Sequence, residues 1–361
     1  MLKRTSLYQN HVAAGARIVP FAGWEMPVQC GSILDEVRAV RQSAGIFDVS
    51  HMGQVRVLGA GSLSAVQRLF TNNAAALTPG RAQYSLMCQP DGGILDDLIV
   101  YRWDDGAAEP DYLIVVNASN RETDYAWMVE HSCGEDCTLA DLSDDFALLA
   151  VQGPQAVGIV QGLAPAADLA GIPAFSHAAA TLIDGTPVHV ARTGYTGEDG
   201  FEIFCAWDAA PAVWDSVVAA GAAPCGLGAR DVLRIEACYP LYGHEINTST
   251  VPYQAGLGWV VKPKKGDFIG RDAMLAARAA GLPRLRGLLP DDPRAIPREG
   301  APVRHPDGDG TVTSGTFSPT LNRAIAMGYL PASAEGEATL PMRGREYAAR
   351  IVDLPFYKRG S

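Results

Sequence analysis

Apolar residues recur along this chain with two alternating periods, and the periods mark out its elements. From Ser32 to Ala44 the residues Ile33, Val37, Val40 and Ala44 make one stripe at helical spacing. Ser32 can cap that helix, Asp35 supplies a first-turn acid and Gly45 follows as a stop. A strand at Gln54–Leu58 and a helix near Leu63–Leu69 come next. Ala82–Cys88 and Ile94–Trp103 then read as a β-hairpin around Asp91-Gly92-Gly93, with a further strand at Tyr112–Asn117. Ser119 is placed to cap a helix that runs to about His131. Phe146–Val151 reads as a strand stopped by Gly153-Pro154, where a helix begins. Thr181–Arg192 is a hairpin broken at Asp184-Gly185, and Phe201–Cys205 is another strand. Asp208 is placed to cap a helix ending at Gly221. Ala229–Cys238 is a short helix with Arg230 and Arg234 four residues apart on one side.

A helix over about 271–282 ends at Gly281-Leu282-Pro283, and the texture then changes. Arg286–Leu289, Ala301–Val303, Thr311–Gly315, Ala324–Tyr329, Ala338–Pro341 and Glu346–Val352 are short strands separated by Gly, Pro and Asp turns. That pattern suits a small β-barrel or sandwich. Earlier in the chain, strands and helices do not alternate regularly, which favours α+β with antiparallel sheets over a doubly wound parallel sheet.

Composition narrows the class. At 361 residues the chain has room for two or three domains. A net charge of −11 argues against generic nucleic-acid binding, which needs a basic surface. Lys262-Pro263-Lys264-Lys265 is a local basic patch, either a solvated loop or a surface that steers an acidic partner. No apolar run is long enough to span a membrane, and the start lacks the apolar stretch of a signal peptide. The expectation is a cytoplasmic protein without a membrane partner. Cysteines at 30, 88, 133, 137, 205, 225 and 238 are odd in number and scattered, so a disulfide framework is not expected. Cys133 and Cys137 lack the further ligands that a zinc site needs, and no metal is expected.

Two segments carry candidate chemistry. Within Ile94–Tyr101, alternation places Asp96 with Ile94, Leu98 and Val100, and Asp97 with Leu95, Ile99 and Tyr101. Each largely apolar face therefore holds one acid. Such a charge must be paired, hydrogen-bonded or lining a site. The second segment is Thr193–Gly200, with three glycines around Tyr195, Glu198 and Asp199. It is either an ordinary turn or a backbone that admits a ligand closely. A glutamate held there can accept paired hydrogen bonds from an amidine-like edge, such as the one a pterin presents. Arg230 would suit an anionic or carbonyl partner, or it could join a structural ion pair near Asp231 and Arg234. Gly226-Leu-Gly228-Ala-Arg-Asp231 has Asp where a dinucleotide fingerprint needs its third glycine, which argues against nicotinamide binding. Phe21-Ala-Gly-Trp24-Glu-Met-Pro27 and Ser50-His51-Met52 read first as core packing.

Taken in order, seven segments together resemble the glycine cleavage system T-protein (aminomethyltransferase) family. They are Phe21-Ala-Gly-Trp-Glu-Met-Pro27, Phe47-Asp-Val-Ser-His-Met52, Gly92-Gly-Ile-Leu-Asp-Asp-Leu-Ile-Val100, Val151-Gln-Gly-Pro154, Gly194-Tyr-Thr-Gly-Glu198, Gly226-Leu-Gly-Ala-Arg-Asp231 and Thr313-Ser-Gly-Thr-Phe-Ser-Pro319. The resemblance implies an α+β fold with two interleaved antiparallel-sheet folate-binding lobes over 1–270, approximately 1–50 with 140–270, and 51–139. A linker helix at 271–282 and a C-terminal β-barrel domain at 283–361 would follow. It implies transfer of the one-carbon unit of an S-aminomethyl-dihydrolipoyl group on H-protein to tetrahydrofolate, with release of ammonia. By the same resemblance Asp96 is the catalytic residue, and Glu198 and Arg230 bind the pterin. Tyr84, Tyr101, Asn117 and Tyr195 line the folate pocket, and Tyr357, Lys358 or Arg359 would supply a group near the C-terminus. Rivals on the same fold are a tetrahydrofolate-dependent demethylase and a non-catalytic folate-binding relative; the presence of Asp96 speaks against the latter.

Overall fold

Alternation in the segment around Asp96 holds from Ile94 to Val100, and it ends at Tyr101, which is fully buried beside Val100. A computed structural model describes residues 2–103 and 109–360, so residues 1 and 361, the outer limits of the expected domains, lie outside the described residues. In the strand Ile94–Arg102, Ile94, Asp96, Leu98 and Val100 are buried while Leu95, Asp97 and Ile99 are partly accessible. The hairpin with Ala82–Cys88 forms as the Asp91-Gly92-Gly93 turn predicts, and the Gln89 N–H donates to the Gly93 carbonyl at 2.8 Å.

The fold is α+β with antiparallel sheets, and the chain divides into two compact units: residues 1–67, 74–84 and 98–231, and residues 68–73, 85–97 and 232–361. The first contains a six-stranded sheet in the order His177–Thr181, Pro187–Ala191, Gly200–Ala206, Phe146–Gln152, Gly45–Asp48, Ala223–Cys225. All its pairings are antiparallel except the last, Ala223–Cys225 beside Gly45–Asp48. Leu149, Val151, Phe201 and Ile203 from this sheet pack with Val160 of the helix Ala156–Leu163 and Val213, Trp214 and Val217 of Ala210–Ala219. Burial of this apolar face is the main driving force for this part of the unit. In a second sheet of the same unit, Tyr112–Val116 pairs with Gly53–Leu58, which also pairs with Thr138–Asp141.

The second unit carries the C-terminal β domain. Its six strands run in the order Pro302–Val303, Gly310–Ser318, Arg323–Leu330, Arg284–Pro290, Arg345–Val352, Glu337–Met342, all antiparallel. The two edges meet. Arg304, just after the first strand in that order, exchanges backbone hydrogen bonds of 2.8 and 2.9 Å with Thr339 of the last. That exchange curls the sheet back on itself and satisfies edge groups that would otherwise be open to pairing. Leu288, Val312, Ala326, Leu330 and Leu340 form its core.

Several local expectations are corrected. Ser32 stands before the helix Ile33–Gln42 without a side-chain cap bond. Glu36 reaches back instead, accepting from the N–H groups of Cys30 and Gly31 at 2.7 and 2.8 Å. Ser119 and Asp208 lie inside short 3-10 turns, Ala118–Asn120 and Trp207–Ala209, ahead of the helices Arg121–His131 and Ala210–Ala219. The hairpin expected from Thr181 begins at His177, because its first strand is an alanine-rich edge held by pairing more than by propensity. The core segment around Trp24 is itself a hairpin, Arg17–Phe21 with Trp24–Gln29, turned through Ala22 and Gly23.

Candidate active site

Gln152, the last residue of Phe146–Gln152, organises the glycine-rich loop in the first unit. Its Nε2 donates to the Thr193 carbonyl at 3.1 Å, and its Oε1 accepts from the Thr196 hydroxyl at 3.0 Å. A Cβ on Gly194 would lie 1.9 Å from that Oε1, so the residue type there follows from the close approach. Gly197 has a φ of 80°, a left-handed conformation that bends the loop at its tip. Beyond the tip, Asp199 accepts from Arg192 through both oxygens, at 2.9 and 2.7 Å. Tyr101 supports the start of the loop from beneath. It is fully buried, and its hydroxyl lies 3.2 Å from the Thr193 hydroxyl and 3.4 Å from Glu202. Burial, then the Glu202 charge, pushes the Tyr101 pKa well above its ordinary value, so it stays neutral.

This loop brings three of the expected residues together. The Arg230 guanidinium lies over the Tyr195 ring, 4.6 Å from its centroid, within cation–π range. Glu198 follows three residues after Tyr195, its carboxylate almost wholly buried. It meets a residue outside the expected set. Arg41, from the helix Ile33–Gln42, donates from Nη1 to Glu198 Oε1 and to the Thr196 carbonyl, both at 2.8 Å. Arg41 lies four residues after Val37, on the apolar stripe itself, and a charge on such a stripe signals a buried partner.

His51 lies in the same unit, buried and edge-on to Phe21, with ring centroids 5.7 Å apart. Burial lowers its pKa to about 4; Arg230 and Arg121 add to that, and the nearby Asp48 charge opposes it. His51 Nδ1 has no hydrogen-bond partner among the described residues. Asp48 is buried and still held below the usual carboxylate range. The cost of burial is outweighed by hydrogen bonds from His11, Thr5 and the Ser50 N–H, at 2.9, 2.6 and 3.0 Å. Of the remaining expected pocket residues, Tyr84 is half-buried on Ala82–Cys88. Asn117, also half-buried, opens the 3-10 turn Ala118–Asn120.

Asp96 belongs to the second unit, where it is fully buried. The start of its strand is anchored there. Ile94 N–H donates to the carbonyls of Asn247 and Thr250 at 3.2 and 3.1 Å, and a Cβ on Gly93 would lie 2.0 Å from the Thr248 carbonyl oxygen. The helix Leu227–Ala237 begins in one unit and ends in the other, and its two arginines are engaged separately. Arg234 pairs with Glu245 at 2.6 Å and donates to Ser314 at 2.9 Å, all buried. At the chain end Tyr357 is half-buried and tethered by its N–H to the Glu236 carbonyl, while Lys358 and Arg359 are exposed. The basic patch is divided: Lys262 and Lys264 are exposed, but Lys265 Nζ turns inward to the carbonyls of Phe70 and Asn72. Burial lowers the Lys265 pKa to about 7. All seven cysteines are free. Among the described residues no His, Cys, Asp and Glu cluster has the makings of a metal site, and no helix is long and apolar enough to cross a membrane.

The fold and its loop can be set beside known proteins. Residues 7–265 match the family model described as GCVT N-terminal domain, and residues 284–358 match the glycine cleavage T-protein C-terminal barrel domain. These two matches define the class, a T-protein-type α+β chain with its barrel domain. Aminomethyltransferase of Geobacillus kaustophilus is 48% identical, over 99% of this chain and 100% of that one. Aminomethyltransferase of Bacillus subtilis is 45% identical over the same shares. The crystal structure of glycine cleavage system aminomethyltransferase T from Bartonella henselae superposes with a TM-score of 0.91 at 33% identity, covering 99% of both chains. The chain belongs to the glycine cleavage system T-protein family of aminomethyltransferases.

Proposed function

We propose that this protein transfers the one-carbon unit of an S-aminomethyl-dihydrolipoyl group on H-protein to tetrahydrofolate, releasing ammonia and leaving methylenetetrahydrofolate and dihydrolipoyl H-protein. The observation that carries this reading is full-length similarity to aminomethyltransferases together with a buried carboxylate, Asp96, at the family motif. In the reaction the carbon loses its bonds to sulfur and to the departing amine and gains bonds to two folate nitrogens. The protons those nitrogens shed end on the thiol and on ammonia.

Asp96 is the residue we assign to that step. A fixed carboxylate beside the folate nitrogens accepts a hydrogen bond, raises their nucleophilicity and stabilises developing positive charge. Glu198 and Arg230 would hold the pterin, Glu198 by accepting from its amino and ring N–H groups and Arg230 by donating to its carbonyl. Tyr195, Tyr84, Tyr101 and Asn117 would complete the folate pocket; Tyr101, being buried, would do so by supporting Thr193. The lobes at 1–50 with 140–270 and at 51–139, the linker helix at 271–282 and the barrel domain at 283–361 are the division that fits this reading, as is a cytoplasmic location. The test is to supply aminomethylated H-protein and tetrahydrofolate to the purified protein. Ammonia and methylenetetrahydrofolate in equal amounts are expected, and the absence of both would overturn the assignment.

A further inference from the structure

We propose that Arg41 is the positioning residue that makes Glu198 a selective acceptor for the pterin edge, an inference resting on the assignment of Glu198 above. Glu198 sits in a loop whose backbone is bent at Gly197 and pinned by Gln152, and its carboxylate side chain is 1% exposed. A carboxylate so far from water needs a compensating partner. Arg41 supplies it from a rigid helix 157 residues away in sequence, with its own side chain only 6% exposed. The same Nη1 group holds the Thr196 carbonyl, so one guanidinium fixes the carboxylate and the backbone two residues before it. A carboxylate can accept from several donors at once, so a cation at Oε1 is compatible with a ligand N–H at the same group.

The consequence is selectivity. A Glu198 carboxylate held by Arg41 rewards a ligand that presents paired N–H donors, because an analogue lacking one makes fewer hydrogen bonds to it. Without Arg41 the carboxylate loses a charged donor at Oε1, and that discrimination weakens. Lysine at this position keeps the charge but delivers it as a point, not as a planar fork.

The experiment measures KM and kcat for tetrahydrofolate and for its analogue with methyl in place of the 2-amino group. The proteins are the wild type, Arg41→Gln, Arg41→Lys, Glu198→Gln and the Arg41→Gln/Glu198→Gln pair. Arg41→Gln is expected to raise KM for tetrahydrofolate about tenfold or more, to leave kcat within about threefold, and to reduce the preference over the analogue. Arg41→Lys recovers part of the loss. In the double variant the KM effects are not multiplicative, because both changes disable one acceptor. If Glu198→Gln raises KM but Arg41→Gln leaves KM and the preference unchanged, or lowers only the folded fraction, the role of Arg41 is overturned while that of Glu198 stands. If Glu198→Gln itself leaves KM and preference unchanged, the pterin assignment fails, and the Arg41 inference with it.

Discussion

Asp96 and Asp97 are neighbours in sequence with opposite surroundings: Asp96 is fully buried on one face of the strand Ile94–Arg102, and Asp97 is partly accessible on the other. The strand pleat produces that difference. Its phase is set by the Asn247 and Thr250 carbonyls that hold Ile94, so a slip of one residue would exchange the two acids.

Arg230→Lys should weaken tetrahydrofolate binding although charge is kept. The guanidinium lies over the Tyr195 ring, and an ammonium there cannot offer the same fork of donors. KM for tetrahydrofolate is expected to rise roughly tenfold, about 1.4 kcal/mol, with a smaller change in kcat. Steady-state kinetics at saturating aminomethylated H-protein reads the split; an unaltered KM would separate Arg230 from the pterin.

The buried pair of Arg234 and Glu245 should matter to stability far more than an exposed one. Arg234→Met leaves Glu245 buried without its cation and should cost about 3–5 kcal/mol. Arg304→Ala breaks a pair with Glu346 in which both side chains are more than half exposed, and should cost less than about 1 kcal/mol. Urea denaturation of the two variants compares them directly, and equal losses would contradict the account.

Stability should also fall with pH through His51. Its folded pKa, about 4, lies below the ordinary value of 6.5, so between those values the unfolded chain binds the proton and the folded chain does not. The stabilising difference is complete above about pH 6.5 and is lost as pH falls toward 4. By pH 5 the loss is about 2 kcal/mol for this group. Urea midpoints at pH 7 and pH 5 should therefore differ less in His51→Gln than in the wild type. An identical pH dependence would show that His51 does not titrate in this way.

The parts of this site legible in the sequence are those whose causes are local. Period-two alternation around Asp96 needs only a few residues to show itself, and Gly197 marks a bent backbone whatever surrounds it. Other features depend on partners far along the chain. Arg41 meets Glu198 across 157 positions, and only its place on an apolar stripe marks it. Glu36 replaces Ser32 at the helix start because the N–H groups of Cys30, Gly31 and Gly226 converge on its carboxylate. The hairpin Arg17–Phe21 with Trp24–Gln29 is hidden by Pro20 and Pro27 within its strands, and by a turn through Ala22 in place of a usual Asn-Gly pair.

Catalysis by Asp96 is tested by the turnover of Asp96→Asn beside Asp97→Asn, with tetrahydrofolate affinity measured for each. Asp96→Asn is expected to bind tetrahydrofolate within about tenfold of the wild type and to lose turnover by roughly a hundredfold or more. Asp97→Asn should keep most of its activity. Wild-type turnover in Asp96→Asn, or the larger loss in Asp97→Asn, would contradict catalysis by Asp96.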